Sequence, residues 1–347
     1  MKFAWGEASI RQIIVHQVGN KAADENYLLS EQPLEPDDAL EGILCQYFLS
    51  SIKSEEYYRF QHDIELPMNE VYTCVARIFE DADAFTEQSA HLAKHLYGQS
   101  AHPKVKGGEF YVVHFRDTVL DGQSREAVGL FRSENRDTFL EVNKSFEGIG
   151  IESREGININ KLDKGCLVFN TESEKGFVLA IVDNTNKGNE AQYWKDLFLN
   201  VTVLNNDFHQ TNQFLGIAKQ FVTKQLQEEF EVTRADQIDF LNRSVDYFKS
   251  HNTFDKDEFE QQVFADESVI RSFRQFDESY RNENEMNISD NFEINAQAVR
   301  KQARVFKSVL KLDKNFHIYI HGNRELIEQG VDENGRKFYK IYYDEES

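Results

Sequence analysis

"GEFYVVHFRDTVLDGQSREAVGLFR", residues 108–132, decides the fold class. Two apolar runs, EFYVVHFRDTVL and EAVGLFR, flank Asp121-Gly122, and Asp-Gly between such runs is a strong short-range hairpin signal. A second hairpin follows the same logic, with GCLVFN, a polar TESEK turn and GFVLAIVDN. Between them, FLEVN, GIGIES and GININ read as short strands and turns. Near the start, ASIRQIIVHQVG alternates like another strand.

Helical patterns lie among these strands. PDDALEGILCQYFLSSI puts Leu40, Ile43, Leu44, Tyr47, Phe48 and Ser51 on one face, with Pro36 and Asp37/Asp38 as start signals. Asn69 caps a second helix carrying Val71, Tyr72, Val75, Ile78 and Phe79. A third runs from about Asp83 to Gly98, with Phe85, Leu92 and Leu96 as its apolar face and Ser89 at the edge. From about Asn205 the chain turns to helix after helix. Phe214, Ile217, Ala218, Phe221 and Gln225 are in register on the first of these. Thr233 and Asp236 form a capping box ahead of Ile238, Leu241, Val245 and Phe248. Val269, Phe273, Phe276 and Tyr280 repeat the pattern, and a last long helix is expected from Asn295 through Leu312. NFHIYIHG and GRKFYKIYY close the chain as strands.

The expected class is α+β: an N-terminal antiparallel sheet with packed helices, then a mostly helical region closed by a C-terminal β-hairpin. The pattern change places a boundary that separates a domain over 1–204 from one over 205–347. With 347 residues, each part is long enough for its own core.

Composition narrows the function. The chain carries 60 Asp and Glu against 39 Lys and Arg, a formal charge of -21. Such an excess argues against non-specific adhesion to DNA or anionic lipid, while a local basic site remains open because distant charges are screened. Cys45, Cys74 and Cys166 are odd in number, scattered in apolar runs and read as buried free thiols suited to a reducing cytoplasm. The N-terminus lacks the apolar stretch of a signal peptide, and no window has the roughly 18 apolar residues of a membrane span. No membrane partner is expected.

Candidate chemistry is sparse. Neither nucleotide-binding glycine loop occurs, nor a nucleophile elbow, and no acid/base pair stands out from acidic residues spread along solvated faces. FDKDEFEQQ lacks the Gly and ligand spacing of a calcium loop and reads as a helix start. His91 and His95 sit one helical turn apart, as zinc ligands do, with His102 as the nearest third ligand. Leu92, however, stands where the hydrolytic motif needs Glu. Both histidines fall about 110° from the apolar face, so a solvated helix flank is expected. No cofactor, metal or catalytic residue is assigned.

The exception to the acidic background is residues 300–314. Arg300, Lys301, Arg304, Lys307, Lys311 and Lys314 face only Asp313. On a continuous helix, Arg300, Arg304, Lys307 and Lys311 fall within about 60° of arc, beside an apolar face of Val299, Ala303, Phe306 and Leu310. Such a stripe suits phosphates, and a solvated flank paired with acidic neighbours is its plain alternative. Lys94, Lys104 and Lys106 could assist it.

IRQIIVHQVGN, SAHLAKHLYGQS with HPKVKGGEFYVVHF, YWKDLFLNV and KSVLKLDKNFHIYI occur in this order along nearly the whole chain. In these pieces the sequence resembles bacterial nucleoid-associated proteins of the NdpA/YejK type, whose members are themselves acidic. The middle, from about Glu229 to Asn295, matches them only loosely. The resemblance implies a non-enzymatic protein of the cytoplasm and nucleoid that binds double-stranded DNA, directly or through DNA-bound proteins. It supplies no catalytic residues. The competing reading is an acidic adaptor, or a DNA mimic, for a basic DNA-handling enzyme. A metal-dependent enzyme using His91 and His95 is a third. A symmetric homodimer is a common state for such a chain.

Overall fold

The computed structural model describes the chain apart from residues 54, 146–147, 186–192, 307–308, 321–323 and 346–347. It divides into two compact units, Met1–Leu204 and Asn205–Ser347.

The first unit begins with β1 (Phe3–Ala4), β2 (Ser9–Val18), β3 (Tyr27–Leu28), α1 (Asp38–Leu49) and β4 (Tyr57–Phe60). Two helices follow, α2 (Glu70–Glu80) and α3 (Phe85–Gln99). Then come β5 (Gly108–Leu120), β6 (Gln123–Ser133), β7 (Asp137–Ser145) and β8 (Gly148–Gly156). β9 (Lys164–Phe169), β10 (Val178–Asp183), a π-helical segment at Tyr193–Leu199 and β11 (Val201–Val203) complete it. Among the described residues, nine strands form one antiparallel sheet in the order β11-β4-β10-β9-β6-β5-β2-β3, with β1 on β5.

The hairpin that turns at Asp121-Gly122 is β5–β6. Leu120 pairs with Gln123 across Asp121 and Gly122, whose φ values are 50° and 76°. Two successive left-handed residues make the tight turn that follows the twist of the strands, which is why Asp-Gly serves here. In the β9–β10 hairpin, Gly176 has φ 97°, and a Cβ there would lie 2.4 Å from the Phe60 carbonyl oxygen.

Both faces of the sheet are covered. Ile14, Val112, Val128, Leu130, Cys166, Val168 and Leu179 pack with α2, α3 and the π-helical segment. Their alternates Ile13, Val113, Ala127, Phe131, Leu167 and Ala180 pack with the end of α1. Period-two alternation sends neighbouring side chains to opposite faces, so a sheet covered twice is apolar at every position. That explains the unbroken burial of KGCLVF. The three cysteines are buried free thiols. Burial pushes Cys45 up to about 11 and Cys74 to about 12, far from the thiolate form.

Two local expectations are corrected. In α1, Leu40 and Ile43 stay exposed, and the buried set is Cys45, Tyr47, Phe48 and Leu49, because only the last turn docks on the sheet cluster. The stretch between the two main hairpins is a long hairpin of its own, β7–β8, paired from Asp137↔Gly156 to Ser145↔Gly148.

The second unit is helical first: α4 (Asp207–Gln220), α5 (Leu226–Glu229) and α6 (Arg234–Ser250). β12 (Thr253–Asp255), α7 (Lys256–Val263), α8 (Glu267–Glu283), β13 (Asn291–Glu293) and α9 (Ala296–Ala303) follow. It ends in two hairpins, β14 (Val309–Leu312) with β15 (Phe316–Tyr319), and β16 (Ile327–Val331) with β17 (Lys337–Ile341). The two closing strands therefore pair with β14 and β16, not with each other. The capping box at Thr233 and Asp236 is present. A π-helical segment, Phe221–Gln225, joins α4 to α5, and its wider turn puts Leu226 rather than Gln225 in the core. Phe214, Phe221, Phe248, Phe254, Phe259, Phe264 and Phe273 fill that core. The Phe-rich composition of this half is thus its packing. Its acidic excess is partly structural too. Asp277 is fully buried between Lys256 Nζ at 2.6 Å and Arg281 Nε at 2.7 Å, and buried Glu260 accepts from Arg274 Nε at 2.7 Å.

Candidate nucleic-acid interface

The expected four-cation helical stripe is not a helix throughout. Asn295 caps α9, its Oδ1 accepting from Gln297 N at 3.0 Å and Ala298 N at 3.2 Å, and the helix stops at Ala303. Val305 N and Phe306 N both donate to the Gln302 carbonyl as the chain unwinds. Phe306 stays in the phenylalanine core, while Leu310 turns into a second cluster with Ala235, Ile238, Ile320 and Ile327. Val309–Leu312 is a strand because Leu310 and Leu312 alternate with Val309 and Lys311, and Asp313 at φ 52° turns it back onto β15.

Arg300 and Arg304 remain together. Arg304 is the C-cap in right-handed helical conformation, so the two lie one turn apart on one face, both exposed. Arg300 Nε donates to the Ala296 carbonyl at 3.2 Å, and the Lys301 ammonium lies 5.4 Å from the Phe208 ring centroid. Cations at a helix C-terminus also complement its dipole, which is a structural reason for part of this charge. Lys311 stands on the hairpin directly opposite His317, and alternation puts Val309 and Tyr319 on the same face. Lys307 lies outside the described residues.

What distinguishes this segment is the concentration of its cations, since Lys219, Lys224 and Lys337 in the same unit also hold no carboxylate among the described residues. Among the described residues, no carboxylate pairs with Arg300, Arg304, Lys311 or Lys314. In the same unit Arg243, Lys256, Arg274, Arg281 and Arg324 all hold carboxylates. His317, Tyr319 and the exposed Phe316 were not singled out from sequence; the alternation of FHIY was the available signal.

The three assisting lysines belong to the first unit. Lys94 is exposed on α3. Lys106 Nζ donates to Asn135 Oδ1 at 2.8 Å, and the Lys104 backbone N–H donates to His102 Nδ1 at 3.2 Å. Lys106 and Arg136 border an open cleft of about 890 Å³ that also carries Glu25, Glu109 and Glu134. Carboxylates outnumber cations there, which disfavours phosphate.

The histidines are placed differently from the expected solvated flank. His91 is exposed, but His95 is largely buried, with Nδ1 2.6 Å from Glu70 Oε2 and Nε2 3.1 Å from the Phe198 carbonyl. The helix flank is covered because α2 and the π-helical segment pack beside it. Both His95 nitrogens are engaged by protein acceptors, and among the described residues no group of three or more His, Cys, Asp or Glu is arranged to hold a metal ion.

A histidine that sequence reading left unremarked is more consequential for stability. His16 on β2 is buried; its Nδ1 accepts from Ser30 N at 3.1 Å, which leaves Nε2 to donate to Ser89 Oγ at 3.1 Å. Burial lowers it from 6.5 to about 4. The unfolded chain therefore binds a proton between those values that the folded chain refuses, so stability rises with pH across that window and is lost as pH falls through it. The loss amounts to about 3 kcal/mol at most from this group. Buried His114, also lowered by desolvation, acts in the same direction. Urea midpoints measured at neutral pH and near pH 4 should fall accordingly, and His16→Gln should flatten the dependence. An unchanged slope in that variant would refute the assignment.

Carboxylates are not confined to solvated faces in this unit either. Arg132 is fully buried, with Nε 3.2 Å from Glu134 Oε1, and Tyr193 donates to that same oxygen at 2.6 Å. Lys164 Nζ lies 3.4 Å from Glu134 Oε2 and 3.2 Å from Asp183 Oδ1. Each of these four charges faces an opposite one, the condition for tolerating it.

Taken together, these features define an α+β protein of two compact units with a concentrated basic segment late in an acidic chain. The chain belongs to the nucleoid-associated protein YejK family, whose description matches residues 14–347. That match covers nearly its whole length, including residues 229–295. No curated protein sequence matches the chain. No helix among the described residues is long and apolar enough to cross a membrane.

Proposed function

We propose that this protein is a non-enzymatic component of the bacterial nucleoid that contacts duplex DNA with little sequence preference. The contact runs through Arg300, Arg304, Lys307 and Lys311, with Lys94, Lys104 and Lys106 as secondary contributors. The observation that carries this reading is the concentration of cations at residues 300–314 in a chain of charge -21, where exposed Arg300, Arg304 and Lys311 hold no carboxylate among the described residues. Cations left without internal partners are available to phosphate oxygens. Lys and Arg on phosphates position a protein on the duplex without reading bases. His317 and Tyr319 extend the Lys311 face of the hairpin, giving it one polar and one aromatic neighbour. Family membership supports association with the nucleoid.

Anisotropy of labelled mixed-sequence duplex, titrated with the protein at several salt concentrations, tests the reading. Binding that weakens steeply with salt supports it. No binding even at low salt would refute direct contact and favour docking on DNA-bound or basic DNA-handling proteins instead.

A further inference from the structure

The β14–β15 hairpin carries a large ring that nothing covers. Leu312 and Phe316 face each other across the turn Asp313-Lys314-Asn315, and alternation puts Leu310 and Ile318 on the same face. Leu310 is buried, and Leu312 and Ile318 pack against its cluster with Ile320 and Ile327. Phe316, nearest the turn, is 63% exposed. It joins no hydrophobic cluster and meets no other ring among the described residues. Cations flank it within the hairpin. Lys314 stands in the turn and Lys311 beside Leu312, and neither holds a carboxylate among the described residues.

We propose that Phe316 is an apolar wedge that enters a base step of duplex DNA from the minor groove and kinks it. The wedge rests on the DNA contact proposed above, whose cations lie in the same segment. Charge selects the occupant. On a chain of charge -21, Lys311 and Lys314 stand against Asp313 alone in this hairpin. A protein groove that buried the ring would also have to accept those ammonium groups, whereas a duplex offers phosphates on either side of every step. Lys311 follows Arg304 at a distance of at most about 24 Å of chain, roughly the rise of seven base pairs, so wedge and arginines reach one duplex.

A wedge must also be backed by structure that does not yield. Here Leu310 and Ile320 anchor the base of the hairpin in their cluster, and Asn242 Nδ2 donates to the Ile320 carbonyl at 3.1 Å. Apolar side chains inserted in this way unstack a step, and the extra protein surface that bent DNA meets offsets the unstacking. Pyrimidine–purine steps yield most easily, so the preference should follow flexibility rather than base identity.

Energy transfer between dyes at the two ends of a duplex of about 30 base pairs reads the bend, beside anisotropy for affinity. Wild type should raise the transfer on binding. A duplex with a central mismatch, already partly unstacked, should bind roughly tenfold tighter than the fully paired one. Phe316→Ala should bind without bending and lose the mismatch preference, while its salt slope stays that of wild type because no phosphate contact is removed. Phe316→Leu, still apolar, should keep part of both effects. Neither variant should shift the thermal melt, since the ring is exposed. Salt-sensitive binding with no bend, or a bend and mismatch preference unchanged in Phe316→Ala, overturns the wedge and leaves the phosphate contact standing. Absence of binding at low salt overturns both. Phe316-dependent binding that is tighter to the single strand than to the duplex would make the ring a stacking platform and also overturn the wedge.

Discussion

Changing Arg300, Arg304, Lys307 and Lys311 together to Gln should cut the salt dependence of duplex binding by about 3 to 4 units of log K against log salt, if each cation holds one phosphate. Each contact releases condensed counterions, and the slope counts them. For four contacts, raising salt from 50 to 200 mM weakens the parent by roughly a hundredfold, and the variant should lose most of that sensitivity. The substitutions at Arg300, Arg304 and Lys311 do not threaten the fold. Arg300, Arg304 and Lys311 are exposed and hold no carboxylate among the described residues, so Gln leaves no buried charge stranded. Equal slopes in parent and variant would place the DNA contact elsewhere. Lys94→Gln, Lys104→Gln and Lys106→Gln, made together, should have a smaller effect, because Lys106 is bonded to Asn135 and its cleft is rich in carboxylates.

Phe214→Ala should destabilise the helical unit by about 3–5 kcal/mol, the usual cost of emptying a well-packed aromatic site. Phe214 is fully buried, with ring centroids 4.2 Å from Phe254, 5.1 Å from Phe259 and 6.0 Å from both Phe248 and Phe273. Few neighbours can collapse into the space, since most of them are rigid rings held by other rings. The substitution also tests whether the two compact units are independent domains. Both tryptophans, Trp5 and Trp194, lie in the first unit. With independent domains, the tryptophan fluorescence midpoint stays in place while part of the helical circular dichroism signal melts earlier. A shift of both probes together would show a single cooperative unit, and no shift in either would contradict the packing argument.

The main features of the sheet were legible because their signals are local. Asp121-Gly122 sets a turn by its own conformational preferences, and the flanking runs must then pair. The capping residues Asp37, Asn69, Thr233 and Asn295 each hold the helix start expected of them, since a cap needs only a backbone N–H two or three residues ahead. The basic segment illustrates the limit. Residues 303–312 fit a helical period and a strand period almost equally well, and short apolar runs cannot be resolved by period alone. Phe306 belongs to one cluster and Leu310 to another, and that division unwinds the helix.

Composition and spacing by themselves determined the α+β class, the two main hairpins, the helix starts and the concentration of cations after residue 299. These follow from period, turn chemistry and charge count, which neighbours in sequence carry. Only the tertiary structure decided that His95 is covered, that His16 is held neutral, that Asp277 and Glu260 are buried partners, and that Lys311 rides a hairpin beside His317. Each of those depends on which distant segment packs alongside, and burial and pairing are properties of that neighbour rather than of the residue's own stretch of chain.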